Sequence, residues 1–322
     1  MTDNIQFTVK GEVYTLTNSW EKISSYHFLT LVRDFECMAR GELSPAIVRV
    51  NFVCNVMGWN PAKIKDEEAF QNLALLAEQV TFPFVISYPD NDEALSVLEP
   101  EVRKLCKRIP PERLSGVAIA RYLARLDYKF TLDCCFCRQL VPVVKVDDEF
   151  YYGYRIDTSF NMLTCSLKVL QYIEVHRIMG KPDMLPLLAA ILYHPDTYSS
   201  ESAHQLAEKF ATLPAHELQA IAFNFQAFNN YLFTQTEFSI FTAGKDEKPS
   251  AITTGALESL YNLSSNGCGN ITVVEQMNLI QYLTILRKKL IDSVHRLHAV
   301  KMQKADIAKE TGLPIHIINK IL

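Results

Sequence analysis

Apolar and polar residues alternate at the start of the chain, and the pattern then switches to a three-and-four spacing. Gln6-Phe7-Thr8-Val9 and Val13-Tyr14-Thr15-Leu16 are short β-prone runs on either side of Lys10-Gly11-Glu12, which predicts a hairpin. The stretch from Thr17 to Ser24 supplies capping residues ahead of Phe28, Leu29, Leu31, Val32 and Phe35, the apolar face of a helix. A second helix is expected after Ser44-Pro45, because a first-turn proline gives up a donor that has no intrahelical partner anyway.

The same order returns from Val143. Val143-Val144-Lys145-Val146, Asp147-Asp148-Glu149 and Phe150-Tyr151-Tyr152 read as strand, turn and strand. The stretch 18–24 aligns with 158–164, pairing Trp20 with Phe160, and Leu43-Ser44-Pro45 aligns with Met184-Leu185-Pro186. Glu68-Ala69 and Leu76-Ala77-Glu78 are echoed by Glu201-Ser202-Ala203 and Leu206-Ala207-Glu208. Hairpin, cap and proline-started helix recurring in one order predict two diverged copies of one unit. Each copy should pack helices over a small sheet, since a lone hairpin is marginal in water.

The expected fold class is therefore mainly α with small β-hairpins, an α+β arrangement. Residues 1–130 form the first hairpin-plus-helices lobe and residues 138–242 the second, homologous one. Residues 243–255 lack periodicity and read as a linker, and residues 256–322 read as a C-terminal helical region. That region is expected to hold a short helix around Ala256 to Leu263, a turn over 264–270, and a long helix. Leu279, Leu283, Leu286, Leu290, Val294 and Leu297 give the long helix a continuous apolar seam. Two readings of the seam stand: packing on the lobes, or a coiled-coil or partner-helix surface in which Leu279, Leu283, Leu286 and Leu290 bind a protein partner.

Composition narrows the class. A chain of 322 residues that is 48% hydrophobic can bury substantial cores, which excludes general disorder. Its 14 prolines and 11 glycines are few for an all-β protein with many tight turns, so helix should dominate. No charge-free apolar run is long enough to span a membrane, and Met1-Thr2-Asp3-Asn4 opens no secretory signal, so a cytoplasmic protein with no membrane partner is expected. The eight cysteines lie mostly in apolar helical segments, which favours reduced thiols.

Candidate chemistry is sparse. Cys134, Cys135 and Cys137 supply three thiols that could hold zinc, but no second ligand pair stands at a matching spacing, so buried cysteines and no metal are expected. The chain has no phosphate-binding glycine loop, no Gly-x-Ser-x-Gly elbow and no His-Glu-x-x-His pair. No catalytic or cofactor-binding residue is assigned, and the expectation is a protein that is not an enzyme. The aromatic and amide run from Phe223 to Phe233 could stack bases, but Phe225, Phe228 and Leu232 share one helical face and no Lys or Arg falls within it. Core packing is the expectation, and the amides then need buried partners or a protein interface.

Charge and motif meet at the C-terminus. The net charge of −4 argues against a protein that coats nucleic acid over its whole surface. Residues 287–322 nevertheless carry eight Lys/Arg against three Asp/Glu. Within them, Ile307-Ala308, Gly312-Leu313 and Ile315 to Leu322 resemble a helix-turn-helix: a small residue lets the helices approach, a glycine makes the turn, and apolar residues pin the second helix. A structural αα-corner is the expectation, because the second helix offers only His316, Asn319 and Lys320 as polar contacts and too few cations for tight duplex binding. The alternative is a DNA contact through those three residues. Ile315, Ile318 and Ile321 are expected to seat the last helix on the long one.

The opening hairpin, followed by Asn18-Ser19-Trp20-Glu21-Lys22-Ile23 and Phe28-Leu29, resembles phage and prophage tail-assembly chaperones. Those proteins begin with a short strand pair and a Ser-Trp-Glu-Glu-Ile/Leu-Thr-like start to a helix. The resemblance covers residues 5–35 and echoes at 143–173. It implies a non-enzymatic helper in the host-cell cytoplasm that binds tape-measure or tail-tube protein during virion assembly, and apolar helical lobes suit such amphipathic helical partners. The alternative is a DNA-binding regulatory protein that uses the C-terminal helix-turn-helix.

Overall fold

Two-residue loops shape both hairpins. The computed structural model describes residues 3–89, 95–114, 116–243 and 270–322, which divide into two compact units, Met1–Cys134 and Cys135–Leu322. In the first unit, β1 (Asn4–Val9) pairs antiparallel with β2 (Glu12–Thr17) across Lys10 and Gly11, at φ 51° and 85°. In the second, β5 (Val143–Val146) pairs with β6 (Glu149–Tyr152) across Asp147 and Asp148, at φ 47° and 65°. Positive φ at both loop positions matches the twist of the flanking strands, and Gly and Asp tolerate it best.

In the first unit each helix starts where its cap sits. Ser24, Ser44 and Asp66 accept backbone N–H bonds at the starts of α1 (Ser25–Ala39), α2 (Pro45–Met57) and α3 (Glu67–Glu78). Trp20 opens a single 3-10 turn and is 5% exposed; its ring meets Phe28, Phe35 and Phe82 edge-on at 6.1, 6.5 and 4.7 Å. Further along come β3 (Phe84–Ser87), α4 (Pro100–Cys106), α5 (Ala120–Leu123) and β4 (Lys129–Leu132), with β4 antiparallel to β3. Arg49, buried on α2, stacks over the rings of Phe84 and Phe130 at 5.3 and 4.6 Å. Arg108 donates to the backbone carbonyls of Phe82 and Phe84 and pairs with Asp133.

The second unit adds a small pair, β7 (Ile156–Asp157) with β8 (Thr164–Cys165), and then a helical body. The helices are α6 (Val169–Ile178), α7 (Leu185–Leu192), α8 (Ser200–Phe210) and α9 (Ala215–Gln235). Pro186 stands in the first turn of α7, as Pro45 does in α2. On α9, Phe225, Phe228 and Leu232 are buried. The buried amides there are satisfied: Asn224 accepts from Leu140 N–H at 2.5 Å and donates to Arg138 C=O at 2.8 Å, and Asn229 accepts from Tyr172 OH at 2.6 Å.

The chain ends in α10 (Ile271–Glu275), α11 (Leu279–Ala299), α12 (Lys304–Thr311) and α13 (Ile315–Ile321). The start of α11 and the turn before it are stitched to β8 and the residues that follow it. Leu279 N–H donates to Leu167 C=O at 2.9 Å, Val169 N–H donates to Met277 C=O at 3.1 Å, and the Asn278 amide reaches Cys165 C=O. The molecule is thus mainly helical with small two-stranded antiparallel sheets. Among the described residues no helix is long and apolar enough to cross a membrane.

Hairpin, 3-10 turn, helix and proline-started helix recur in the two units, but the core equivalence expected of Trp20 and Phe160 does not hold. Phe160 is 94% exposed at φ 56°. The cause is local: β7–β8 pairing makes residues 158–163 the loop of an extra small hairpin, so the ring is carried outward instead of down onto a core. The likeness of the two halves lies in element order, not in this side chain. The linker over 243–255, the helix around Ala256 to Leu263 and the turn over 264–270 fall outside the described residues, apart from Ala243 and Asn270.

Candidate nucleic-acid interface

The final three helices build a corner around four fully packed side chains. Val294 from α11, Ile307 from α12, Leu313 from the turn and Ile318 from α13 are each at most 4% exposed. Leu290, Leu297, Ala308, Ile317 and Ile321 close over them. α11 stops where Lys301 takes φ 61° and Met302 N–H returns to Leu297 C=O at 3.2 Å, a left-handed cap without glycine. α12 stops at Gly312, φ 69°, whose N–H bonds Ala308 C=O at 2.9 Å. Thr311 helps fix the turn by donating its hydroxyl to Ile307 C=O at 2.7 Å. Ala308, on the inner face of α12, adds no bulk between the helices.

The residues singled out at the tip fall on one side of α13. His316, Asn319 and Lys320 are all exposed, and at about 100° of turn per residue they span about a quarter of the helix circumference. Lys304, at the start of α12, donates to Asn319 Oδ1 at 2.7 Å and so ties the two helices together across this face. Lys301 and Lys309 are exposed nearby in sequence, whereas Arg287 is engaged with Glu237 at 3.2 Å on a side chain 34% exposed. The sequence missed Lys304 as a contributor; its spacing of fifteen from Asn319 matches no single-helix periodicity.

Ile315 corrects one expectation. It is 49% exposed, and Ile317 takes its place on the packed face beside Ile318 and Ile321. Ile315 and Ile321 are separated by about 120° around the axis, so the two cannot share one narrow stripe on a helix this short. The polar face therefore carries an exposed isoleucine at its edge.

The leucine seam turns inward. Leu279 and Leu283 are fully buried within the second unit, Leu286 is half-buried, and Leu290 packs on the corner's core. Leu279, Leu283 and Leu290 are taken up by packing in their own unit and only Leu286 is left half-buried between them, so the four do not form the partner-binding surface expected of them. The helix carries its apolar stripe because α6, α12 and α13 lie against it.

Elsewhere, Cys135 and Cys137 are half-buried in the coil leading to β5, and Cys135 Sγ lies 3.5 Å from Thr234 Oγ1. Cys165 is buried, and burial pushes its thiol up to about 12. Among the described residues no group of three or more His, Cys, Asp or Glu side chains is placed to hold a metal ion. Compared with known proteins, the chain matches no family model, no curated protein and no solved structure.

Proposed function

We propose that this protein binds duplex DNA through the α12–α13 corner, as a regulatory protein would. The observation that carries the reading is the division of α13 into two faces: Ile318 buried against Val294 and Ile307, and His316, Asn319 and Lys320 directed to solvent beside Lys304. A helix fixed by its apolar side and solvent-exposed on its polar side, where Lys304 holds the Asn319 amide oxygen, is what a recognition helix needs to enter a major groove. Asparagine and lysine pair with purine edges, and lysines on the flanking elements meet phosphates. The chain's net charge of −4 alongside this basic segment would orient binding to one end of the second unit.

The test is selection of duplexes from a random-sequence pool, followed by fluorescence anisotropy on the enriched duplex. The wild type should bind an enriched sequence more tightly than random DNA. The triple variant His316→Ala, Asn319→Ala, Lys320→Ala should lose that preference while keeping its helical circular dichroism. No enrichment would overturn the reading.

A second reading, a phage tail-assembly helper, is supported by the opening residues. The residues that carry the resemblance lie in the β1–β2 hairpin and the Ser19-capped turn that holds Trp20. Since its leucine seam is internal, this reading needs a different protein-binding surface. It predicts a complex with a tape-measure or tail-tube segment and no sequence-dependent DNA affinity.

A further inference from the structure

The first unit carries an elongated open trough between the outer edge of β1 and helix α3. Two basins make it up, of about 930 and 360 Å³, and they share Leu75 and Gln79 of α3 as common wall. On the opposite side the larger basin is bordered by Phe7 to Lys10 and the smaller by Ile5. The trough therefore follows β1 along nearly its whole length, about 20 Å for six residues at strand rise. Successive side chains of a strand point to opposite faces, so a run of consecutive residues lining one cleft means that the strand presents its edge there. That edge has no neighbour among the described residues, because the sheet consists of β1 and β2 alone.

Shape and charge select the occupant. The floor is apolar: Trp59, Ile64, Leu73 and Leu76 line the larger basin, with the Trp59 ring edge-on to Phe7 at 6.1 Å. Leu75 is 48% exposed on the shared wall and adds apolar surface that a ligand in the trough would cover. No carboxylate lines the larger basin, while Lys10 and Lys63 do, and neither lysine has an ion-pair partner among the described residues. At the other end, Arg113 and Glu78 neutralise each other at 3.0 Å. A strand edge facing a helix across an apolar floor, cationic at one end, suits an extended peptide. It does not suit a second helix, which could not use the unpaired strand edge.

We infer that this trough captures an extended segment of a partner protein, with alternating apolar side chains and acidic residues toward Lys10 and Lys63, by adding it as a third strand on β1. The inference concerns the first unit and is independent of DNA binding by the corner.

Trp59 gives the readout, since the chain has only two tryptophans and Trp20 is buried. The probe is a capped octapeptide alternating glutamate and valine, titrated into the full chain while tryptophan emission is followed, with Trp59→Phe as the control for signal origin. Saturable binding is expected. Weakening by about tenfold or more is expected both for the variant Lys10→Glu, Lys63→Glu and for a probe N-methylated at alternate residues, which removes main-chain donors without touching the protein. Three results would overturn the inference: no binding of the octapeptide, equal binding of its lysine–valine counterpart, or indifference to N-methylation. Tighter binding of laurate or of a helix-locked acidic peptide would reassign the trough to an amphiphile or a helix and also overturn it.

Discussion

Replacing Ile318 with alanine removes three carbons from a side chain with no solvent exposure at the centre of the C-terminal corner. At about 0.8 kcal/mol per buried methylene, the transfer loss alone is about 2.4 kcal/mol. The cavity adds to this, and comparable truncations cost about 2–5 kcal/mol in total. Ile315→Ala, on the same short helix, deletes the same atoms from a side chain that is 49% exposed. Its loss should stay under about 1 kcal/mol, partly offset by alanine's better helix propensity. Amide hydrogen exchange across 304–322 reads local as well as global opening and is the appropriate assay. Ile318→Ala should speed exchange there by about 30-fold or more, and Ile315→Ala by less than about fivefold. Equal effects of the two substitutions would refute the placement of α13.

The same reasoning separates the two aromatic residues that the sequence aligned. Trp20→Ala should cost about 3–5 kcal/mol in a urea titration, while Phe160→Ala should stay within about 0.5 kcal/mol; a large loss at Phe160 would contradict its exposure. Burial raises the thiols of Cys54, Cys106 and Cys165, so brief iodoacetamide treatment at about pH 7 should leave these three unmodified in the folded protein and modify them in urea. Burial also holds His176 below the ordinary imidazole value of 6.5, so on acidification the unfolded chain takes up this proton first. The stability it confers is present above that value and is lost as pH falls below it; the wild type should therefore lose more stability than His176→Gln between about pH 7 and 5.

Local chemistry made much of the fold legible. Lys10-Gly11 and Asp147-Asp148 are turn residues flanked by alternating strands, and Ser24, Ser44-Pro45 and Leu185-Pro186 mark helix starts without reference to anything distant. The β3–β4 pair was not legible, because Phe84 meets Leu132 only after the intervening chain has folded back. Phe160 misled for a related reason: its neighbours match those of Trp20, but the β7–β8 pairing that turns it outward is set by Ile156 and Cys165, each only part of a two-residue strand. At the candidate interface, Gly312, Ala308 and the apolar spacing identified the corner. Which isoleucine would face outward, and that Lys304 would join Asn319, depended on how three helices meet. Periodicity found the seam from Leu279 to Leu290, but a buried stripe and a docking stripe have the same period, and only burial tells them apart.

The most direct test of DNA binding is a salt titration of affinity on the enriched duplex, comparing the wild type with Lys304→Ala and Lys320→Ala. With three or four contacts from Lys301, Lys304, Lys309 and Lys320, log affinity should fall against log salt with a slope of about −2.7 to −3.6, and each lysine removed should flatten it by about 0.9. At physiological salt, affinity for the enriched duplex should be tighter than the non-specific range of about 10⁻⁴ to 10⁻⁶ M. Affinity confined to that range, or a slope unmoved by either substitution, would contradict the account.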